Sequence, residues 1–213
     1  MLSSYGYDIY KACKEVEPKY AKWRYQSIHD FQQIERVFAY ELYHQIRLIM
    51  LKNQVKYNLL QLNGEISKVD RHLNLRDCGY SCEDPDVRQK LGAYLRVSPD
   101  IVLHKDQDDR GYNFQKVIVE VKTGDDTSAK DIYDIIKLLN YVEQLNFENA
   151  IFVAVNKNRR RLCSTIRASF SNADRASYSR CSIFFYAGED SNNNILSRPR
   201  VNFKTIEEII NNE

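Results

Sequence analysis

The chain has 213 residues, enough for one α/β domain with a few additions. Its 31 Lys and Arg against 29 Asp and Glu leave a net charge of +2, so no global field selects a partner and any steering must come from local patches. No apolar run reaches the roughly 18 residues of a membrane span, and the charged N-terminus MLSSYGYDIYKACKEVEPKY lacks the apolar stretch of a signal peptide, so the expectation is a soluble, cytoplasmic protein with no membrane partner.

In chain order, residues 4–18 read as a short amphipathic helix closed by Pro18. A longer helix is predicted over about 27–52, where Phe31, Ile34, Phe38, Leu42, Ile46 and Ile49 recur every three or four positions, as one buried face requires. Val55 to Ser67 has strand character. The segment HLNLRDCGYSCEDPDVRQKLG, with its Gly, Pro, Asp and Cys clusters, reads as loop with one short helix. Two strands follow at 99–104 and 115–123, then a helix from Ser128 to Leu145 with Ile132, Ile135, Ile136, Leu139 and Val142 on its apolar face. AIFVAVN is a strand buried on both faces. KNRRRLCSTIRASF starts as loop and becomes helical, CSIFFYAG is another buried strand, and a short helix lies around Ile206 to Ile210.

The five cysteines, Cys13, Cys78, Cys82, Cys163 and Cys181, are odd in number and are expected as reduced thiols. Cys78 and Cys82, with His72 nearby, form at most half a zinc site; no second pair stands at useful spacing, so free cysteines in a loop are the favoured reading.

The stretch SPDIVLHKDQDDRGYNFQKVIVEVKTG carries the chemistry. A hairpin centred on Arg110 and Gly111 sets Asp100 opposite Glu120, with Cβ atoms about 5 Å apart. Glu120 and Lys122 are two apart on one strand and share a face, whereas Val119 and Val121 point to the other. Two carboxylates and an ammonium on a rigid sheet suit Mg²⁺ or Mn²⁺ and a positioned water. The competing reading is a surface Glu–Lys–Asp network, which the apolar surroundings of VIVEVK disfavour. The acidic loop KDQDDRG (Asp106, Asp108, Asp109) lacks the spacing of a calcium loop and reads as a hairpin turn. His104 ends the first strand, either near the site or simply packed.

Pro99-Asp100 followed by Glu120-Val121-Lys122 resembles the PD-(D/E)xK signature of the restriction endonuclease-like nuclease superfamily. Pro85-Asp86 does not open a strand and is set aside. The resemblance spans roughly residues 27–156 and implies a core of helix, three-strand meander, helix and strand. Residues 1–26 would then be an N-terminal helical extension and 157–213 C-terminal additions (a strand and a helix), all within one α/β domain, 1–213.

The activity so implied is metal-dependent hydrolysis of phosphodiester bonds in nucleic acid, DNA rather than RNA, leaving a 5′-phosphate and a 3′-hydroxyl. Asp100 and Glu120 would hold Mg²⁺ or Mn²⁺ with the Val121 carbonyl, and Lys122 would position or activate the attacking water. Relatives often add a glutamate from the first core helix. Glu35 and Glu41 are the candidates, about 240° apart around the helix, and Glu41, beside Leu42, is preferred. Some relatives carry Q-x-x-x-Y on the next helix; KLLNY has Lys137 in place of Gln and keeps Tyr141. Lys137 is thus a candidate phosphate contact, against the plainer reading of an exposed helical lysine.

Arg159, Arg160 and Arg161, with Lys157 and Arg167, form a basic segment suited to backbone phosphates, against the alternative of a solvated helix start. A homodimer is expected where both strands are cut. The alternatives are a catalytically silent nucleic-acid-binding or structural module on the same fold, and a phosphohydrolase acting on small substrates.

Overall fold

The composition of one strand explains the layering. β5 (Gln115–Thr123) is buried from Val117 through Lys122 because it lies inside a six-stranded sheet of order β1-β4-β5-β6-β7-β8. The other members are β1 (Gln61–Gly64), β4 (Ile101–His104), β6 (Asn149–Val155), β7 (Cys181–Glu189) and β8 (Ile195–Thr205). β2 (His72–Leu73) and β3 (Leu95–Arg96) pair separately. The computed structural model describes residues 2–21, 30–64, 72–73, 95–96, 99–105, 115–124, 127–170, 176–189 and 194–211. Cys78, Cys82, the Pro85-Asp86 pair, the acidic loop with Asp106, Asp108 and Asp109, the turn at Arg110 and Gly111 and the first residues of the helix expected from 27 lie outside the described residues.

β1, β4 and β5 run antiparallel in sequence, β5, β6 and β7 are parallel, and β8 returns antiparallel to β7. The parallel steps need crossovers. These are α3 (Ala129–Gln144), between β5 and β6, and α4 (Arg159–Phe170), between β6 and β7. Both helices cover one face, where Val102, Ile118, Phe152, Ile183 and Phe185 meet Ile135, Ile136, Leu139, Leu162 and Ile166. The short α5 (Ile206–Asn211) adds Ile206 and Ile209 to that layer. The other face carries α1 (Ser4–Glu15) and α2 (Asp30–Lys52). There Ile9, Cys13, Phe38, Leu42 and Ile46 pack on Ile101, Val119, Val121, Val153 and Phe184. Successive residues of each strand feed opposite layers, as the pleat requires.

One local expectation changes, and one strand is new. Val55 to Ser67 was expected as strand, but α2 runs to Lys52, a series of turns carries the chain to Leu60 and strand begins at Gln61; residues 65–67 lie outside the described residues. Tyr57 is pulled inward there, donating its hydroxyl to Asp8 Oδ2 at 2.8 Å, and Leu59 takes a φ of 65°. The long β8 has no counterpart in the sequence reading. Its ILSRPRVNFKT is half buried and polar, and Pro199 is tolerated because the strand is an edge beside a register shift at Ala187/Glu189. α1, within the N-terminal helical extension, packs on the sheet: Tyr10 donates to the Val201 carbonyl at 3.0 Å and meets Phe203 edge-on at 5.3 Å.

Cys13, Cys163 and Cys181 are free and buried. Among the described residues no helix is long and apolar enough to cross a membrane.

Candidate active site

The antiparallel pairing of β4 with β5 aligns Ile101 with Val119 and Val102 with Ile118. Continuing that register by one residue sets Asp100 opposite Glu120, on the α3 face with Val102 and Ile118. β4 begins at Ile101, and among the described residues the edge of β5 beyond it has no ladder partner; there the Asp100 carboxylate accepts from the backbone. Its Oδ2 accepts the Val121 N–H at 2.7 Å. Val119 and Val121 point into the opposite layer, leaving Glu120 and Lys122 beneath α3.

These charges are buried, which separates the cluster from a surface ion network. Glu120 is 4% exposed, Lys122 7%, Asp134 4% and Lys137 5%. Burial of this kind is stable only when each charge finds a partner. Lys122 Nζ lies 2.9 Å from Glu35 Oε1, 3.2 Å from Glu120 Oε1 and 3.4 Å from Asp134 Oδ2. Lys137 Nζ lies 2.7 Å from Glu120 Oε2 and 3.2 Å from Asp134 Oδ1. The Lys137–Glu120 contact is Coulombic: Oε2 is buried without an aligned hydrogen bond, as is Asp134 Oδ2. Four carboxylates, those of Glu35, Asp100, Glu120 and Asp134, thus surround two ammonium groups.

The electrostatics follow from that imbalance. Burial, then the neighbouring Glu120 charge, pushes the Asp100 carboxyl up to about 7, against the opposing pull of the Val121 N–H and Lys122. Burial also raises Glu120, and Asp134 adds to the effect, although Lys137 and Lys122 oppose it. For Lys122 burial acts downward, but Glu120, Asp134 and Glu35 together outweigh it and hold the ammonium above its ordinary range. Lys137 is raised in the same way by Glu120 and Asp134. Tyr133, partly buried near Asp134 and Glu120, is pushed up to about 12 by that burial and by their charges.

Asp100, Glu120 and Lys122 are therefore brought together, and two residues of the sequence reading move. The helix partner is Glu35; Glu41 instead accepts a hydrogen bond from Gln45 Nε2 at 2.7 Å. Glu35 lies one turn before Phe38 on the stripe Phe38, Leu42, Ile46, the face α2 turns to the sheet, whereas Glu41 is about 100° off it. Lys137 is no exposed helical lysine: α3 is buried nearly all round, and this side chain ends on Glu120. Asp134 was missed altogether. Its signal was the spacing of three to Lys137 and seven to Tyr141, which aligns all three along one face of the helix.

The basic segment divides. Lys157 is tied to Asp131 at 3.1 Å with both side chains buried, fixing the turn after β6 to the first turn of α3. Arg159 donates to Asn202 Oδ1 at 3.1 Å and lies over the Phe185 ring at 5.0 Å. Arg160 and Arg161 are exposed at the start of α4. Because β5 and β6 are parallel, with Lys122 beside Ala154, that helix start and Lys122 lie toward the same edge of the sheet. His104 ends the far end of β4, its Nε2 2.6 Å from Asn63 Nδ2, about 13 Å along the strand from Asp100.

Among the described residues no group of three or more His, Cys, Asp and Glu side chains is arranged to hold a metal; here ammonium groups stand between the carboxylates. The donor set nevertheless fits a hard divalent cation. Mg²⁺ needs only one or two protein carboxylates with water and substrate oxygens, and Asp100 and Glu120 supply them, with a buried Glu120 oxygen that no hydrogen bond satisfies. Comparison with known proteins gives no matching family model and no significant match to a curated protein or a solved structure.

Proposed function

We propose that the chain is a metal-dependent nuclease of the PD-(D/E)xK kind, a soluble, cytoplasmic phosphodiester hydrolase acting on nucleic acid, and on DNA in preference to RNA. The observation that carries this reading is the convergence of Asp100, Glu120 and Lys122 in one buried cluster whose carboxylates outnumber its ammonium groups. The order α2, antiparallel β1, β4 and β5, α3, then parallel β6 supports it, being the arrangement that the sequence resemblance implies for a restriction endonuclease-like core.

Asp100 and Glu120, with the Val121 carbonyl, would hold the Mg²⁺ or Mn²⁺, which would supply positive charge against the phosphate and acidify a bound water. The chain's own groups do the positioning. The Val121 N–H fixes the Asp100 carboxylate. The Lys122 ammonium, held above its ordinary range by Glu120, Asp134 and Glu35, suits positioning or activating the attacking water. Glu35 holds that ammonium from the α2 side. The exposed Arg160 and Arg161 suit the nucleic-acid backbone, while Arg159 and Lys157 serve the fold. A homodimer would present two such sites to the two strands of a duplex.

One observation favours a second reading, a catalytically silent binding or structural module: both lysines already engage Glu120. Incubation of plasmid, single-stranded DNA and RNA with Mg²⁺ or Mn²⁺ separates the two. Metal-dependent cutting by the wild type that is lost in Asp100→Ala and Lys122→Ala supports the nuclease. Salt-sensitive binding without cutting supports the module.

A further inference from the structure

Lys137 occupies a place that the chemistry of a metal site does not require. Its ammonium is buried, and it reaches the one Glu120 oxygen that Lys122 leaves open: Oε1 faces Lys122 at 3.2 Å and Oε2 faces Lys137 at 2.7 Å. A cation that coordinates Glu120 therefore competes with two ammonium groups for the charge of one carboxylate. Lys122 is held by three carboxylates and Lys137 by two, so Lys137 is the more easily moved.

The geometry also provides for the displaced group. Asp134, one turn earlier on the same helix, already lies 3.2 Å from Lys137 Nζ through Oδ1, while its Oδ2 faces Lys122 at 3.4 Å. Passing from Glu120 to Asp134 exchanges one carboxylate partner for another. The ammonium can swing on its four-carbon stem without entering an unpaired state. Once all four carboxylates are ionised, they exceed the two ammonium groups by two charges, which one divalent ion neutralises while both lysines stay in the cluster.

Resting on the metal-dependent reading above, we propose that Lys137 is a built-in competitor for the divalent cation, holding Glu120 in the metal-free protein and passing to Asp134 when the ion binds. Lys137 is a positioning residue in this scheme; it sets how much metal the site needs before it assembles.

The test is calorimetric titration of Mn²⁺, without nucleic acid, into the wild type, Lys137→Gln and Lys137→Met, each first checked for a cooperative thermal transition. The expected result is a Kd at least tenfold tighter in both variants, since a neutral side chain removes the competing charge. Wild-type binding with unchanged or weaker binding in the variants overturns the role of Lys137 and leaves the metal site standing. No binding by any of the three overturns both. Should the variants fail to fold, the ammonium NMR signals of the wild type decide. Mg²⁺ must shift the Lys137 resonance, and an ion that binds without shifting it overturns the proposal.

Discussion

Lys122 Nζ and Glu35 Oε1 lie 2.9 Å apart although 87 positions separate them in the chain. The contact joins the edge of β5 to α2 where β4 has not yet begun, so the lysine reaches past the sheet to a helix on its opposite face. It also separates two glutamates of one helix. Glu35→Ala should lower the metal-dependent cleavage rate by about 10-fold or more, the usual effect of losing a group that orients a catalytic one, while Glu41→Ala stays within about twofold. Equal effects in a cleavage assay would remove Glu35 from the site.

The ion cluster should be costly to break and cheap to replace. Lys122→Met leaves Glu120 and Asp134 short of a buried partner and should destabilise the fold by about 3 kcal/mol or more. The double variant Lys122→Met/Glu120→Gln should recover much of that loss, because it removes the stranded charge. Urea denaturation of the three proteins measures both steps. A double variant no more stable than the single one would mean that packing, and not charge, holds this region.

Stability of the metal-free protein should fall as the Asp100 carboxyl ionises. Its folded value of about 7 lies above the ordinary 3.8, so the folded state binds the extra proton. Its contribution is complete below about 3.8 and is lost as pH rises through about 7. Glu120 is raised too and acts in the same direction. The melting temperature in chelator should drop by about 5 °C across that window, and Asp100→Asn should flatten the drop. Added Mn²⁺ should reverse the trend, because the ion needs the deprotonated carboxylate.

Away from the site, Asp8 ties α1 to the turns after α2. Burial alone would raise its pKa, but bonds from Lys56, Tyr57 and Lys11 outweigh burial and lower it. Its stabilisation is therefore present above the ordinary 3.8 and lost as pH falls through the lower folded value. Tyr57→Phe should cost about 1 kcal/mol or somewhat more, the worth of a buried hydrogen bond to a charged group, with Mn²⁺ affinity unchanged. A change in affinity would show that this latch and the ion cluster communicate.

Short-range pattern in the sequence determined much of this. The alternation in VIVEVK assigned Val119 and Val121 to one layer and Glu120 and Lys122 to the other, and counting back to Asp100 from the expected turn gave the observed register of β4 on β5. The apolar spacing marked out α2 and α3, because a helix or strand repeats its own face regardless of what packs against it. It could not say which faces would be covered. β8 was lost to that limit, since an edge strand buries only part of one face and leaves a polar sequence. Lys137 was read as a phosphate contact or a plain exposed lysine because its helix was given one buried side, whereas packing buries nearly all of it. The cluster itself was decided by tertiary structure alone. Glu35, Lys122 and Asp134 come from a helix below the sheet, a strand within it and a helix above it, and no local period encodes the meeting of charges so far apart in the chain.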